Sequence, residues 1–464
     1  MSLFRTPLLG ASALTLALAI PCFAETPFTA PVDFTGRVTA AARERGTPIY
    51  KGGPVVISGE GLIPGQTVDL LRGSVTLNGE APLLVDAEGK FSFELTLDET
   101  AATGRQPILV VTENPASAEV ITMKISPEVP VAGAENFDIS SGPVTRGLYQ
   151  VAWSGASDAV FVTSAVGRPP VRQSALTKLD AQSLEVLAQI SPEAAPAAED
   201  GSEAGLFALY GIAVDDVNGM VWVTNTRQNT LAVYAQADLR LVKQFPPGSA
   251  NHARDVVLDQ AGGRAYVAAT RTGNIEVFDT RTLEQLEPIS LTSGKRGGAY
   301  SAMALDIDPV AGVLVNVSMS TDELAVIDLK TGEAKVIALP GAKAASGVAY
   351  DAQEGLAFVV SQHSDNLLIV DVAKGEVIAD VAVGAQPLNV TFEPKTRLAY
   401  VANRGSGTIA VVDTKGAIVA NIEAGSMTNQ LRADGQGRVW AVNKARGEND
   451  PLGDQIWRLQ AKTE

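Results

Sequence analysis

Residues 393–413 read EPKTRLAYVANRGSGTIAVVD. The stretch holds an acid, a short turn, a β-rich run ending at Asn403, a polar loop, and a second β-rich run ending at Asp413. The same form recurs at 351–371 (DAQEGLAFVVSQHSDNLLIVD), 308–328 (DPVAGVLVNVSMSTDELAVID), 259–279 (DQAGGRAYVAATRTGNIEVFD) and 215–235 (DDVNGMVWVTNTRQNTLAVYA). In all five, 20 residues separate the opening acid from the closing position, and looser copies occupy 154–180 and 434–460. Around each copy stand four strand signals. In the 393 unit they are 387–392, 398–402, 409–412 and 417–422, joined by a tight turn, a polar loop and the turn DTKG. Four strands every 41 to 49 residues, in seven units of which one is longer, is the period of a β-propeller. A lone four-stranded sheet buries only part of its apolar surface; stacking on two neighbours covers both faces, and a closed ring leaves no open end.

The last unit has no fourth strand after 456–459, whereas 136–142 (NFDISSG) precedes the first unit as a fourth strand would. That segment is expected to complete the last blade. The units before and after the five close copies carry extra loops: GRPPVRQ and PEAAPAAEDGSEAG in the first, NKARGENDPLGD in the seventh.

The second-strand tetrads are Phe161-Val-Thr-Ser164, Trp222-Val-Thr-Asn225, Tyr266-Val-Ala-Ala269, Val315-Asn-Val-Ser318, Phe358-Val-Val-Ser361, Tyr400-Val-Ala-Asn403 and Trp440-Ala-Val-Asn443. They resemble the YVTN repeat of bacterial surface and periplasmic propellers, and residues 140 to 460 look like the YncE-like family. The resemblance implies the fold; its repeat residues are structural and assign no activity.

Residues 1–24 read as a signal peptide, with Arg5, a short apolar run from Leu8 to Ile20, and Cys22-Phe23-Ala24 as a small-residue cleavage site. A periplasmic or secreted location follows. A lipid-anchored form using Cys22 fits less well, because Pro21 precedes it. Cleavage after Ala24 removes the sole cysteine and Arg5, leaving 35 of the 36 basic residues against 52 acidic ones. So acidic a chain resists nonspecific contact with DNA and anionic membranes, and no membrane insertion is expected. Residues 25–128 carry no repeat. Short strand signals such as Val55-Val56-Ile57 and Phe91-Ser92-Phe93, separated by SGEGLIPGQ, LNGE and DAEGK, indicate a small β-sandwich. The pattern resembles bacterial immunoglobulin-like modules. Residues 129–135 read as a linker, and 136–464 as the propeller. The fold class is therefore all-β: a seven-bladed propeller behind an immunoglobulin-like sandwich.

Chemistry is mostly excluded. One cysteine and two histidines give no zinc spacing and no haem attachment motif, and there is no GxSxG, phosphate-binding loop or dinucleotide fingerprint. No cofactor, catalytic residue or metal ligand is assigned. The aspartates ending third strands (Asp180, Asp279, Asp328, Asp371, Asp413) are expected to cap their own turns. The loops after second strands and between units emerge on one face, at the channel mouth. They carry Arg146, Arg168, Arg172, Arg227, Arg254, Arg271, Lys295, Arg296, Lys343, Arg404, Lys444 and Arg446, with His252 and His363. Asp255, Asp322, Asp365 and Asp454 share that face and are available to neutralise it. The candidate ligand-binding set is Arg227, Arg254, Arg271, Arg296, Arg404, His252 and His363, holding an anionic small molecule or an acidic protein partner. A metal-dependent lactonase-like hydrolase is the alternative. It requires converging carboxylates, while the channel-lining residues expected from strand alternation (Gly211, Val256, Ala304, Gly347) are small or apolar. Single-stranded DNA binding is a third reading, opposed by the scarcity of aromatic residues.

Overall fold

The computed structural model describes residues 30, 32–197 and 201–462. The stretch read as a signal peptide, with Cys22, lies outside them. Among the described residues no helix is long and apolar enough to cross a membrane.

Among the described residues seven four-stranded antiparallel sheets make up the repeat region, six of them meanders of consecutive strands. Their first strands are Leu148–Ser154, Leu209–Asp215, Ala253–Asp259, Ala302–Asp308, Ala345–Asp351, Pro387–Glu393 and Thr428–Ala433. Each first strand packs on the first strand of the next sheet, and the seventh packs on the first, so the sheets form a closed ring. The architecture is that of a β-propeller. Apolar clusters lie between successive sheets: Phe358, Val360 and Leu367 of the fifth, for example, meet Val390, Phe392 and Val401 of the sixth. The fourth strand of the seventh sheet is Phe137–Pro143, paired with Gln455–Ala461 so that Ile139 lies opposite Leu459. The segment expected to complete the ring does so, one residue later than its sequence bounds.

The repeat residues have physical jobs. Phe161, Trp222, Phe358, Tyr400 and Trp440 are fully buried between sheets. Asn403 donates its Nδ2 to the Val383 carbonyl (2.6 Å), and Asn443 does the same to the Ser426 (2.8 Å) and Leu452 (2.6 Å) carbonyls. In these two sheets the tetrad's last residue ties a loop to the second strand, where a buried carbonyl would otherwise be unpaired. The third-strand aspartates cap their turns: Asp279 accepts from the Arg281 and Thr282 N–H groups, both at 2.9 Å, and Asp328 from Lys330 and Thr331.

Every first strand carries a register irregularity near its start, as between Leu209 and Ile212 or between Ala253 and Val256. A bulge bends the strand and frees backbone groups from the ladder. Side chains from the neighbouring strand take those groups up: Gln150 accepts from Ile212 N–H (3.1 Å), Asp255 from Leu305 (3.0 Å), Asn389 from Leu431 (3.0 Å) and Gln430 from Val151 (2.9 Å).

The N-terminal residues form two sheets. One holds Arg37–Ala42, Pro54–Glu60 and Phe91–Thr96; the other is built on Thr67–Arg72, Gly104–Glu113 and Ser117–Ile125 with two short strands. Their alternating inward residues, including Val55, Ile57, Val68, Leu70, Ile108 and Val110, make one separate core. This sandwich is tied to the ring. Lys124 Nζ lies 2.6 Å from Asp365 Oδ1 and donates to the Gln362 carbonyl (2.8 Å) in the fifth sheet's mouth loop. The segment read as a linker is also held: Ala132 and Asn421 exchange backbone hydrogen bonds, and Asn421 Nδ2 donates to the Val129 carbonyl (2.9 Å).

Candidate functional site

At the start of the first strands the channel closes down to a cavity of about 20 Å³, and all seven sheets contribute to its lining. Because of the bulges, two consecutive residues of one strand reach it, as with Tyr149 and Gln150, or Arg254 and Asp255. The expectation of a small or apolar lining is corrected here. Gln150, Asp255, Ser346, Asn389, Asn429 and Gln430 face the constriction, and the buried Nε2 of Gln430 has no hydrogen-bond partner. Gly211 and Gly347 instead mark where neighbouring strands meet. A Cβ on Gly211 would collide with the Arg254 carbonyl oxygen, and one on Gly347 would stand 2.7 Å from Asn389 Cα. Ala304 lines this level, and Val256 lines the far end of the channel.

Above the constriction lies a group of cations and two tyrosines. The Tyr149 and Tyr210 rings lie 3.7 Å apart between centroids; Lys444 Nζ sits 3.2 Å over the Tyr149 ring and Arg227 stands over Tyr210, donating from Nε to its hydroxyl (3.1 Å). Asn429 Nδ2 anchors the platform through the Tyr149 carbonyl (2.6 Å). Arg254 and Arg404 complete the group. Burial pushes both guanidinium groups down, and each repels the other cations nearby: Arg404 acts on Arg254, and both act on Lys444. Burial, with Arg404 and Arg254 beside it, pushes the Lys444 ammonium down to about 7. His252 is pushed down to about 4 by burial and by Arg271, Arg227 and Arg254, so it is neutral at pH 7.

Of the acids that share this face, Asp255 partly offsets the charge on Arg254 and Asp454 that on Lys444, but none forms a salt bridge with the group. Asp322 pairs with Lys343, and Asp365 with Lys124. Asp255 accepts from Val256 and Leu305 N–H and approaches Arg432 (3.8 Å), and Asp454 accepts from Gly147 and Ala445 N–H. Among the described residues, none of Arg227, Arg254, Arg404 and Lys444 forms a salt bridge.

Of the residues singled out by sequence, then, the structure brings Arg227, Arg254, Arg271, Arg404 and His252 into one electrostatic neighbourhood. It does not bring in the other two. Arg296 stands exposed on the loop between the third and fourth sheets, and His363 is exposed among Lys124, Arg105 and Lys343. Lys444, counted among the mouth cations but not in the candidate set, belongs to the group, as do Tyr149 and Tyr210, which were not singled out. The signal for Lys444 was its place directly after Asn443 in the seventh tetrad, which equals that of Arg404 after Asn403.

At the far end the channel is lined by Trp153, Val214, Val257 and Ile307 with Asp306 and Arg432. Burial pushes Asp306 up to about 6, although its carboxylate accepts from the Tyr350 N–H (2.8 Å). Among the described residues no three His, Cys, Asp or Glu side chains converge to hold a metal ion.

No protein-family model matches the chain, and no curated protein matches it. Solved structures do. Streptogramin B lyase superposes with a TM-score of 0.53 at 13% identity, covering 71% of this chain and 100% of that one. The virginiamycin B lyase of Staphylococcus aureus gives 0.51 at 12%, covering 70% and 99%. Hydrazine synthase of Kuenenia stuttgartiensis gives 0.51 at 16%, covering 64% and 92%. At these identities the likeness is one of fold, and it agrees with the ring of four-stranded sheets: the chain has a β-propeller architecture.

Proposed function

We propose that this is a secreted or periplasmic, seven-bladed propeller of the YVTN-repeat type, carrying an immunoglobulin-like module, that binds an anionic small molecule at its channel mouth without transforming it. One observation carries the reading: Arg254, Arg404 and Lys444 are gathered over the channel without a salt bridge, and despite the nearby Asp255 and Asp454, burial and mutual repulsion disfavour their charged forms. Self-repulsion of buried cations destabilises a fold, and a bound anion relieves it. The Tyr149–Tyr210 pair and the unpartnered Gln430 Nε2 add polar donors beneath the cations.

A small molecule is favoured over an acidic protein surface because the N-terminal sandwich stands beside the mouth, leaving a cleft of about 710 Å³. Pockets of that size suit small ligands. Nucleic-acid bases are disfavoured, since the two tyrosine rings face each other and are flanked by Lys444 and Arg227. Two of the fold neighbours are lyases, and a lactonase-like hydrolase remains the enzymatic alternative. The channel carboxylates that a hydrolytic metal requires, Asp255 and Asp306, are engaged with backbone N–H groups, which supports binding over chemistry.

The test is calorimetric titration of the whole chain with orthophosphate and citrate. Changing Arg254 and Arg404 together to Ala should weaken binding at least about tenfold and flatten its salt dependence, each contact contributing on the order of 1 kcal/mol. Unchanged affinity in that double variant would refute the site.

A further inference from the structure

We infer that the anion site is shared by the two modules: Arg45 of the sandwich and Arg446 of the seventh sheet's long loop form a second cationic subsite beside the channel cluster, so that the ligand is a small molecule carrying two or more oxyanion groups. The inference rests on the proposed anion reading of the mouth and deepens it.

The cleft between sandwich and ring is lined by Arg45, Arg404 and Arg446 together with Thr47, Gln386 and Met427, and its lining contains no acidic residue. Arg404 belongs to both places. It lines this cleft, and it is also the neighbour that most strongly repels Lys444 in the channel cluster. The two cationic groups are therefore joined through one guanidinium. Asp450, on the same loop, feels the Arg446 charge but forms no salt bridge with it; its carboxylate accepts from the Arg446 (2.8 Å) and Leu452 (3.1 Å) N–H groups. Among the described residues neither Arg45 nor Arg446 forms a salt bridge.

The position of Arg45 is fixed by more than its own loop. Next to it, Gly46 abuts Arg446: a Cβ there would lie 3.6 Å from Arg446 Cδ. Tyr50 hydrogen-bonds Ser406 in the mouth loop that carries Arg404. Lys124 is clamped to Asp365, whose side chain is 3% exposed, and Ala132 is paired to the sixth sheet. An arginine in each wall of a cleft suits an extended oxyanion, because each planar fork grips a carboxylate or phosphate bidentately. Joining two anionic groups in one molecule makes the second contact intramolecular, and affinity rises steeply with no new protein contact.

The test compares one-group with many-group anions on the full chain by calorimetry: orthophosphate against tripolyphosphate, and acetate against citrate. The larger member of at least one pair should bind about tenfold or more tightly than the smaller. R45A should remove at least about fivefold of that gain while leaving orthophosphate within about twofold of the parent. R37A, an equal charge change on an exposed part of the same module outside the cleft, should leave all affinities unaltered. The pair that shows the gain identifies phosphate or carboxylate as the oxyanion. If R254A weakens binding while R45A does not, or R37A matches R45A, the shared site is wrong and the mouth reading stands. If the parent chain binds none of the four anions, both fall.

Discussion

Lys444 offers the sharpest test, because truncating it should make the protein more stable and a worse binder. Its ammonium is pushed from 10.5 down to about 7 by burial and by Arg404 and Arg254. At about 1.4 kcal/mol per pKa unit, that fall disfavours the charged form in the folded state by about 5 kcal/mol. The folded-state pKa is depressed, so the unfolded chain binds the proton more tightly. The penalty is full below about pH 7 and fades as pH rises toward 10.5. By the same linkage it amounts to about 4.7 kcal/mol at pH 6 and about 2 kcal/mol at pH 9. Lys444→Met removes it, and also removes the contact over the Tyr149 ring, worth about 1–2 kcal/mol. The net expectation is a gain of about 3 kcal/mol at pH 6 that falls to about 2 kcal/mol near pH 9, where the folded-state amine is neutral and there is no cation–ring contact left to lose. Thermal melts of parent and variant at pH 6, 7.5 and 9, each with and without 10 mM orthophosphate as an arbitrary, roughly saturating dose, read this directly. Phosphate should raise the parent's melting temperature more at pH 6 than at pH 9, and the variant's little at either. A variant that melts lower than the parent at pH 6, with the parent's pH slope, would refute the claim that these cations are held in mutual repulsion.

Other expectations follow from the packing. Gly211→Ala drives a Cβ into the Arg254 carbonyl; it should cost about 1–3 kcal/mol in chemical denaturation and weaken anion binding, whereas Gly219→Ala on the opposite turn should leave binding alone. Arg397 holds the buried Asp351 and also Glu354, so Arg397→Met should destabilise by about 3–5 kcal/mol, with about half recovered by adding Asp351→Asn. A chain beginning at residue 130 should melt well above one beginning at 144, since only the first retains Phe137–Pro143; equal melting temperatures would show that the seventh sheet does not depend on that strand.

The ring was legible because its period is written in residues that must be buried. The tetrad aromatics pack between sheets, and the closing Asn403 and Asn443 satisfy loop carbonyls, so neither position drifts. The site was half legible. Arg227 and Arg404 follow second strands and Arg254 stands where one unit passes to the next, and those places alone put them on one face. What failed was the inward register. Strict alternation put Gly211 and Gly347 in the channel, but bulges in all seven first strands turn the preceding residues, Tyr210 and Ser346, toward it. A bulge depends on how neighbouring strands crowd together, which no single unit records. Asp255 and Asp454, which read as counterions, do act on Arg254 and Lys444, but they also accept hydrogen bonds from the backbone, a role the sequence did not show. Arg296 and His363 failed for another reason: a shared face does not imply a shared place on it.

The strand that completes the seventh sheet has a consequence for how the ring is made. Ser140 and its partner Arg458 are 318 residues apart, so on the ribosome Phe137–Pro143 appears long before the strand it pairs with. Until then the first six sheets have no closed ring, and the first sheet lacks its neighbour on one side. Contacts so distant in sequence slow folding, since loop-closure entropy is lost before they form. The sandwich has its own core and needs no such delay, so it is built first and holds the waiting strand at its C-terminal end. A chain stalled before residue 455 therefore carries an open edge at each end of the stack, and release of the final strand removes both at once.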